Sequence, residues 1–173
     1  PKHGHGIFAS SHRYTYLAER LKRIARRTIW VLTEHLKRGE FEPLEHEVSF
    51  GRDGTFPPIE IELGSGDILY LEGRIDRVDL LDNGESDYVK IIDYKSGQAE
   101  LRLSDVYYGI ALQLIIYMQA LLNSRRESEA KDVKPGGIFY FHIDDPMVDS
   151  KDRLQELIEM EIAKQFKLKG IVL

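Results

Sequence analysis

Two long alternating segments joined by an Asn-Gly step constrain this chain more than any other feature. "ILYLEGRIDRVDLL" (68–81) and "YVKIIDYK" (88–95) are rich in β-branched and aromatic residues, and "DNGESD" (82–87) lies between them. Strands of that composition around a short Asn-Gly connection predict an antiparallel hairpin. The second strand ends oddly for a buried element. Asp93 and Lys95 are two residues apart, so they share one face, while Tyr94 points to the other. Burying unpaired charge is expensive, so this strand end needs a partner or a purpose.

The rest of the chain arranges itself around the hairpin. Ser10-Ser11 offers a helix cap, and Leu17, Leu21, Ile24, Thr28, Val31, Leu32 and Leu36 recur at helical spacing as far as Lys37, with Gly39 as the stop. "LEHEVSF" (44–50) and "IEIEL" (59–63) alternate as strands. "SDVYYGIALQLIIYMQALL" (104–122) predicts one helix capped by Ser104. "GGIFYFHI" (136–143) is almost wholly apolar and predicts a central strand covered on both faces, and residues 151–166 predict a closing amphipathic helix ending near Gly170. The order α-β-β-β-β-α-β-α predicts an α/β fold, a central mixed β-sheet flanked by helices. The step from the strand ending at Lys95, through the helix, to the strand at 137 is a candidate right-handed parallel crossover. The 173 residues are expected to form a single domain: a basic helix in 1–40, the hairpin and its helix in 44–122, and a closing strand and helix in 136–173.

Composition narrows the function classes. With 42% hydrophobic and 31% charged residues the chain has the make-up of a soluble globular protein, and no apolar run approaches the ~18 residues of a membrane helix. No signal peptide is visible, and the start at Pro1-Lys2-His3 reads as an internal one. The absence of cysteine excludes disulfides and thiolate metal sites within these residues and fits a cytosolic protein. The net charge of −5 is unevenly spread: residues 1–40 hold nine Lys/Arg against three Glu, or +6, leaving −11 for the remainder. A basic element beside an acidic body suits a polyanion at one and a cation at the other, although a solvated helix face explains the same charges.

Glu72, Arg74 and Asp76 share a face of the first hairpin strand, and the hairpin can carry Asp76 toward Asp93, with the register left open by the turn. Two adjacent carboxylates repel, and one keeps its proton unless a cation intervenes. Mg²⁺ takes oxygen ligands and commonly binds one or two carboxylates plus waters and phosphate oxygens. A lysine beside them can orient a water and offset charge growing on a phosphate, which completes the parts needed to hydrolyse a phosphodiester. The bland alternative is a structural Asp–Lys pair on a surface hairpin, because Asp-x-Lys tripeptides are common. On the following helix Gly109, Gln113 and Tyr117 lie at i, i+4 and i+8 on one stripe. Glycine there costs about 1 kcal/mol relative to alanine, which suggests a close approach. Gln113 and Tyr117 suit the positioning of Lys95, a water or a phosphate; the bland alternative is a core helix with Gln113 at its edge.

"GRIDRVD" (73–79), "IIDYKSG" (91–97) and "YYGIALQLIIYMQAL" (107–121), in this order, resemble the RecB-like branch of the PD-(D/E)XK nuclease superfamily, with its restriction-endonuclease-like core. The likeness is closest to AddB-type nuclease domains of bacterial helicase–nucleases, and "SSHRYTYLAERLKRIARRT" and "FEPLEHEVSFG" extend it over most of the chain. The resemblance implies that Asp76, Asp93 and the Tyr94 backbone carbonyl hold the metal, Mg²⁺ or Mn²⁺. It implies that Lys95 is the catalytic lysine and that Gln113 and Tyr117 form the Gln-x-x-x-Tyr motif. It further implies single-stranded DNA as substrate, the A subunit of a helicase–nuclease as partner, double-strand-break processing for recombinational repair, and a bacterial cytoplasmic location. Two departures stand out. The metal-binding histidine expected upstream has no clear counterpart among His3, His5 and His12, and the iron–sulfur cluster expected in the family cannot be bound without cysteines, so the chain reads as an excised core.

Glu47 and Glu72 are further acidic candidates. Of Arg74 and Arg77, on opposite faces, one is expected to pair with an acid and the other to contact phosphate. Arg20, Lys22, Arg23, Arg26 and Arg27 suit a DNA backbone, a partner or water. Trp30 reads as core, and Asp144-Asp145-Pro146 as a turn. No P-loop signature occurs, so ATP hydrolysis would lie elsewhere. The rival expectations are a non-catalytic scaffold or DNA-binding module, and a stand-alone exonuclease of the CRISPR-adaptation type.

Overall fold

A computed structural model describes residues 12–97, 99–128, 131–144 and 161–173. The chain divides into two compact units, residues 1–38 with 143–166 and residues 39–142 with 167–173. In the first, helix α1 (His12–Arg38) follows the predicted apolar periodicity and stops before Gly39. Its last turn carries His35, Lys37 and Arg38, which favour the negative end of the helix dipole. Lys22 pairs with Glu19 at 2.7 Å and Lys37 with Glu34 at 2.9 Å, one turn apart on its surface. Val31 is buried, Trp30 half-buried, and residues 161–165 are helical. The first part of the predicted closing helix, residues 151–160, and the Asp145-Pro146 turn lie outside the described residues.

The second unit is built on a five-stranded mixed sheet in the order β1-β4-β5-β6-β7, from β1 (Glu42–Phe50), β4 (Gly73–Asp82), β5 (Ser86–Lys95), β6 (Asp132–His142) and β7 (Lys169–Val172). A separate two-stranded antiparallel sheet pairs β2 (Ile59–Glu62) with β3 (Ile68–Leu71). The predicted strand 68–81 is therefore two strands in two sheets. It breaks at Glu72, whose carboxylate accepts the Arg52 backbone N–H at 3.1 Å and holds the corner. The hairpin is as expected but tighter: Asp82 pairs with Asp87 inside the ladder, and Asn83 Oδ1 accepts the N–H groups of Glu85 and Ser86 at 3.0 and 2.8 Å.

The predicted helix 104–122 is also two elements, α2 (Leu103–Tyr107) and α3 (Gln113–Ser128). The break is at Gly109, with φ +73° and only Leu112 Cδ1, 4.0 Å away, near where a Cβ would stand. Glycine is there for left-handed backbone, not for the close approach the stripe suggested. The chain then crosses to β6, which lies parallel to β5 and antiparallel to β7, an edge strand that the sequence pattern left unpredicted. Tyr140 and Phe141 are neighbours in β6 and both buried, so this strand is covered on both faces. Helix α3 packs on β4, β5 and β6, and Val78, Val89, Ile91, Leu114, Leu121 and Ile138 form the centre of the core. Each such side chain contributes roughly 1.5–3 kcal/mol on burial. No helix among the described residues is long and apolar enough to cross a membrane.

Candidate active site

The register of β4 against β5 decides whether the acids meet. Arg77 pairs with Ile92, and the ladder runs from there to Asp82 opposite Asp87. Carried one residue further, the same register sets Asp76 opposite Asp93. Asp76 Oδ2 accepts the backbone N–H of Tyr94 at 2.8 Å, which fixes its carboxylate beside the Asp93–Lys95 segment. In an extended residue N–H and C=O point to the same side, so the Tyr94 carbonyl is also directed toward β4.

Asp93 is almost fully buried. Its Oδ1 accepts from Gln113 Nε2 at 3.0 Å, and its Oδ2 lies 2.7 Å from Lys95 Nζ without a well-directed hydrogen bond. Lys95 in turn donates to Gln113 Oε1 at 3.0 Å. One amide thus closes a ring with the acid and the base of the Asp-x-Lys pair. Its NH₂ group also donates to Tyr117 Oη at 2.9 Å, one helical turn on. Gln113 is the first residue of α3, so the turn at Gly109 delivers it to the strand end.

Gly73 opens β4 for a steric reason. A Cβ there would stand 2.8 Å from the Phe50 ring and 3.1 Å from Tyr117 Cε1. Those two rings meet edge to face at 5.7 Å, which sets the tilt of the Tyr117 phenol.

The electrostatics follow the geometry. Burial, with the like charge of Asp76 behind it, pushes the Asp93 carboxyl above its ordinary pKa against the downward pull of Lys95. Burial also works against the Lys95 charge, but Asp93 outweighs it with help from Asp76, and the ammonium is held above the usual lysine value. The pair is a firmly charged lysine beside an incompletely neutralised acid.

Tyr140 is the residue of this cluster that the sequence pattern did not single out. It is the parallel partner of Asp93 on β6, 7% exposed, with Lys95 Nζ 5.5 Å from its ring centroid. Burial, then the negative charge of Asp93, raises its phenol pKa. Its alternation within "IFYFH" was visible; the β5–β6 register that brings it beside Asp93 was not.

The other candidates are placed elsewhere or otherwise engaged. Arg77 does not reach the site. It is 4% exposed on the opposite face, its Nε and Nη2 donating to Asp79 at 2.5 and 2.9 Å, with Nη1 3.5 Å from the Tyr94 hydroxyl. Both arginines therefore pair with acids, since Arg74 Nε lies 2.9 Å from Glu47 Oε2; Arg74, however, stays exposed. Glu47 has φ +54°, an uncommon conformation for a non-glycine residue, and stands at the point of β1 next to Asp76. Glu72 is spent on the β3–β4 corner. His12 begins α1, in the other unit, and His3 and His5 lie outside the described residues.

Among the described residues no three His, Cys, Asp or Glu side chains converge in metal-ligating fashion. Two carboxylates that repel each other, one with a buried oxygen lacking a directed hydrogen bond, nonetheless suit a small divalent cation that draws its other ligands from backbone, water and substrate phosphate.

The comparisons with known proteins bear on the family. The profile of the PD-(D/E)XK nuclease superfamily matches residues 4–168. The B subunits of the ATP-dependent helicase/deoxyribonucleases of Alkaliphilus oremlandii and Alkaliphilus metalliredigens are each 56% identical over 100% of the chain, and that of Clostridium novyi 53% over 97%. The chain spans only about 15% of the length of these relatives. With a mixed sheet, an Asp-x-Lys strand end buttressed by a helix glutamine, and a profile match over nearly all its length, the chain belongs to the PD-(D/E)XK nuclease superfamily.

Proposed function

We propose that residues 1–173 act as one Mg²⁺-dependent deoxyribonuclease domain, hydrolysing phosphodiester bonds of single-stranded DNA. The observation that carries the reading is the closed ring of Asp93, Gln113 and Lys95 with Asp76 locked on the intervening Tyr94 peptide. A structural Asp–Lys pair needs neither a second acid nor a half-buried amide clip.

Asp76, Asp93 and the Tyr94 carbonyl would hold the metal ion. When bound, Mg²⁺ or Mn²⁺ supplies Lewis acidity toward the phosphate and acidifies water. The protein's own groups do the rest. Lys95 stays an ammonium at neutral pH, so it serves as a donor that orients the attacking water and offsets phosphate charge, not as a base. Gln113 keeps that ammonium in place by accepting from it and, through its NH₂, ties it to Asp93 and Tyr117. Tyr117 accepts from Gln113, which leaves its own proton for a phosphate oxygen. Arg74, exposed two residues before Asp76, adds positive charge along the DNA backbone.

The similar helicase/deoxyribonuclease B subunits suggest that the domain serves a helicase–nuclease working with a second helicase chain on broken DNA in the bacterial cytoplasm, and they favour this over a stand-alone CRISPR-type exonuclease. Any iron–sulfur cluster would need cysteines from outside these residues. The test is cleavage of end-labelled single-stranded DNA with Mg²⁺, with chelator, and by Asp93→Ala. Metal-dependent cleavage lost in the variant supports the reading. DNA binding without cleavage in both proteins would select the scaffold instead.

A further inference from the structure

The ammonium of Lys95 has three hydrogens and two polar partners, Asp93 Oδ2 at 2.7 Å and Gln113 Oε1 at 3.0 Å. Only the second is a directed hydrogen bond, and a long flexible side chain held at its tip by one such bond can still shift Nζ, so a packed wall beside it limits where Nζ stands. Tyr140 supplies such a wall. It projects from β6 on the Asp93 side of the sheet, is nearly closed to solvent, and presents its ring 5.5 Å from Lys95 Nζ. The separation lies within cation–π range, and desolvation strengthens such a contact. The neighbouring Phe141 points the other way and stacks edge-on against Tyr94 at 5.8 Å, so β6 grips the Asp93–Lys95 segment from both faces.

We propose that Tyr140 is a positioning residue for Lys95: its ring is the third wall of the lysine's seat and holds Nζ where its remaining N–H can meet the reacting phosphate. The role belongs to the ring face and not to the hydroxyl. The proposal rests on the nuclease reading above for its catalytic consequence, but the contact itself does not.

Two variants of the 173-residue chain separate ring from hydroxyl, Tyr140→Phe and Tyr140→Leu. Cleavage kinetics on single-stranded DNA with Mg²⁺ are read beside the proton shifts of the Lys95 ε-methylene, which an overlying ring moves upfield. In Tyr140→Phe, kcat is expected within about 3-fold of the parent and the upfield shift is kept. In Tyr140→Leu, kcat is expected to fall roughly 5- to 30-fold with KM little changed, and the shift is lost. Parental kcat in Tyr140→Leu, an equal loss in both variants, or a Lys95 shift that ignores the ring would each overturn the proposal. A parent chain that cleaves nothing while the shift responds as expected would count against the nuclease reading and the catalytic role, leaving only the contact. Loss of fold in Tyr140→Leu would show as collapse of the whole spectrum, and Tyr140→Trp, which restores a ring face, then takes its place with the Phe outcome expected.

Discussion

The two faces of the β4–β5 hairpin each bury an aspartate, and they treat it in opposite ways. On one face Asp79 is fully enclosed, with both oxygens held by the Arg77 guanidinium and Lys90 Nζ 3.0 Å away. Lys90 also lies over the Phe41 ring at 4.5 Å. On the other face Asp93 receives a neutral amide and one poorly directed ammonium, and confronts a second acid. Same strands, same residue type: one carboxylate is neutralised inside the protein, the other is left short of positive charge. The difference teaches where each face expects its counter-charge to come from. Asp79 belongs to the fold; the uncompensated charge on the Asp76–Asp93 side suits the cation of the proposed function.

That contrast can be broken by mutation. The largest expected effect is on chemistry: Asp93→Ala lowers Mg²⁺-dependent DNA cleavage by about 1000-fold or more, measured under single-turnover conditions. Asp79→Ala acts on the other axis. Removing one partner of a buried ion pair strands Arg77 and Lys90, so denaturant unfolding should show a loss of about 3–5 kcal/mol. A loss under ~1 kcal/mol would mean that this face is not the structural one.

The smaller effects sharpen the comparison. In chelator, Asp93→Asn keeps an acceptor for Gln113 while shedding an unfavourable buried charge, and should stabilise the protein by about 1 kcal/mol at neutral pH. The pH dependence has a definite sign. Because the folded carboxyl titrates above its unfolded value, the native state binds more protons in that window. Metal-free stability should therefore fall as pH rises from the ordinary aspartate range through the raised value. Comparing thermal melts of parent and Asp93→Asn across that range isolates the contribution, and parallel curves would contradict it. Last, Arg74→Ala should raise KM for DNA a few-fold and reduce the salt slope of binding by about 1, with kcat nearly unchanged. Insensitivity to salt would remove Arg74 from the DNA path.

What was legible in the sequence was what two-residue and four-residue periodicities can carry. Alternation put Asp93 with Lys95 and Asp76 with Arg74, and helical spacing joined Gln113 to Tyr117; those groupings make up the candidate site. The same alternation also pairs Arg77 with Asp79, so which of the two arginines turns to an acid inside the sheet was readable locally although the choice was left open. Breaks were harder. Apolar alternation runs through the corner at Glu72 without interruption, so 68–81 looked like one strand. Gly109 was weighed for lacking a side chain when its backbone angle was the reason. Tyr140 and β7 depend on pairing across a long crossover, a register that no local pattern encodes.

The turn at Asn83 has a consequence in time. The hairpin closes over a few residues, so the acidic pair can assemble as soon as residue 95 has emerged from the ribosome. Gln113 on α3 and Tyr140 on β6 lie further along the chain and emerge later. A nascent chain would thus hold the two facing acids well before it held the residues packed against Lys95.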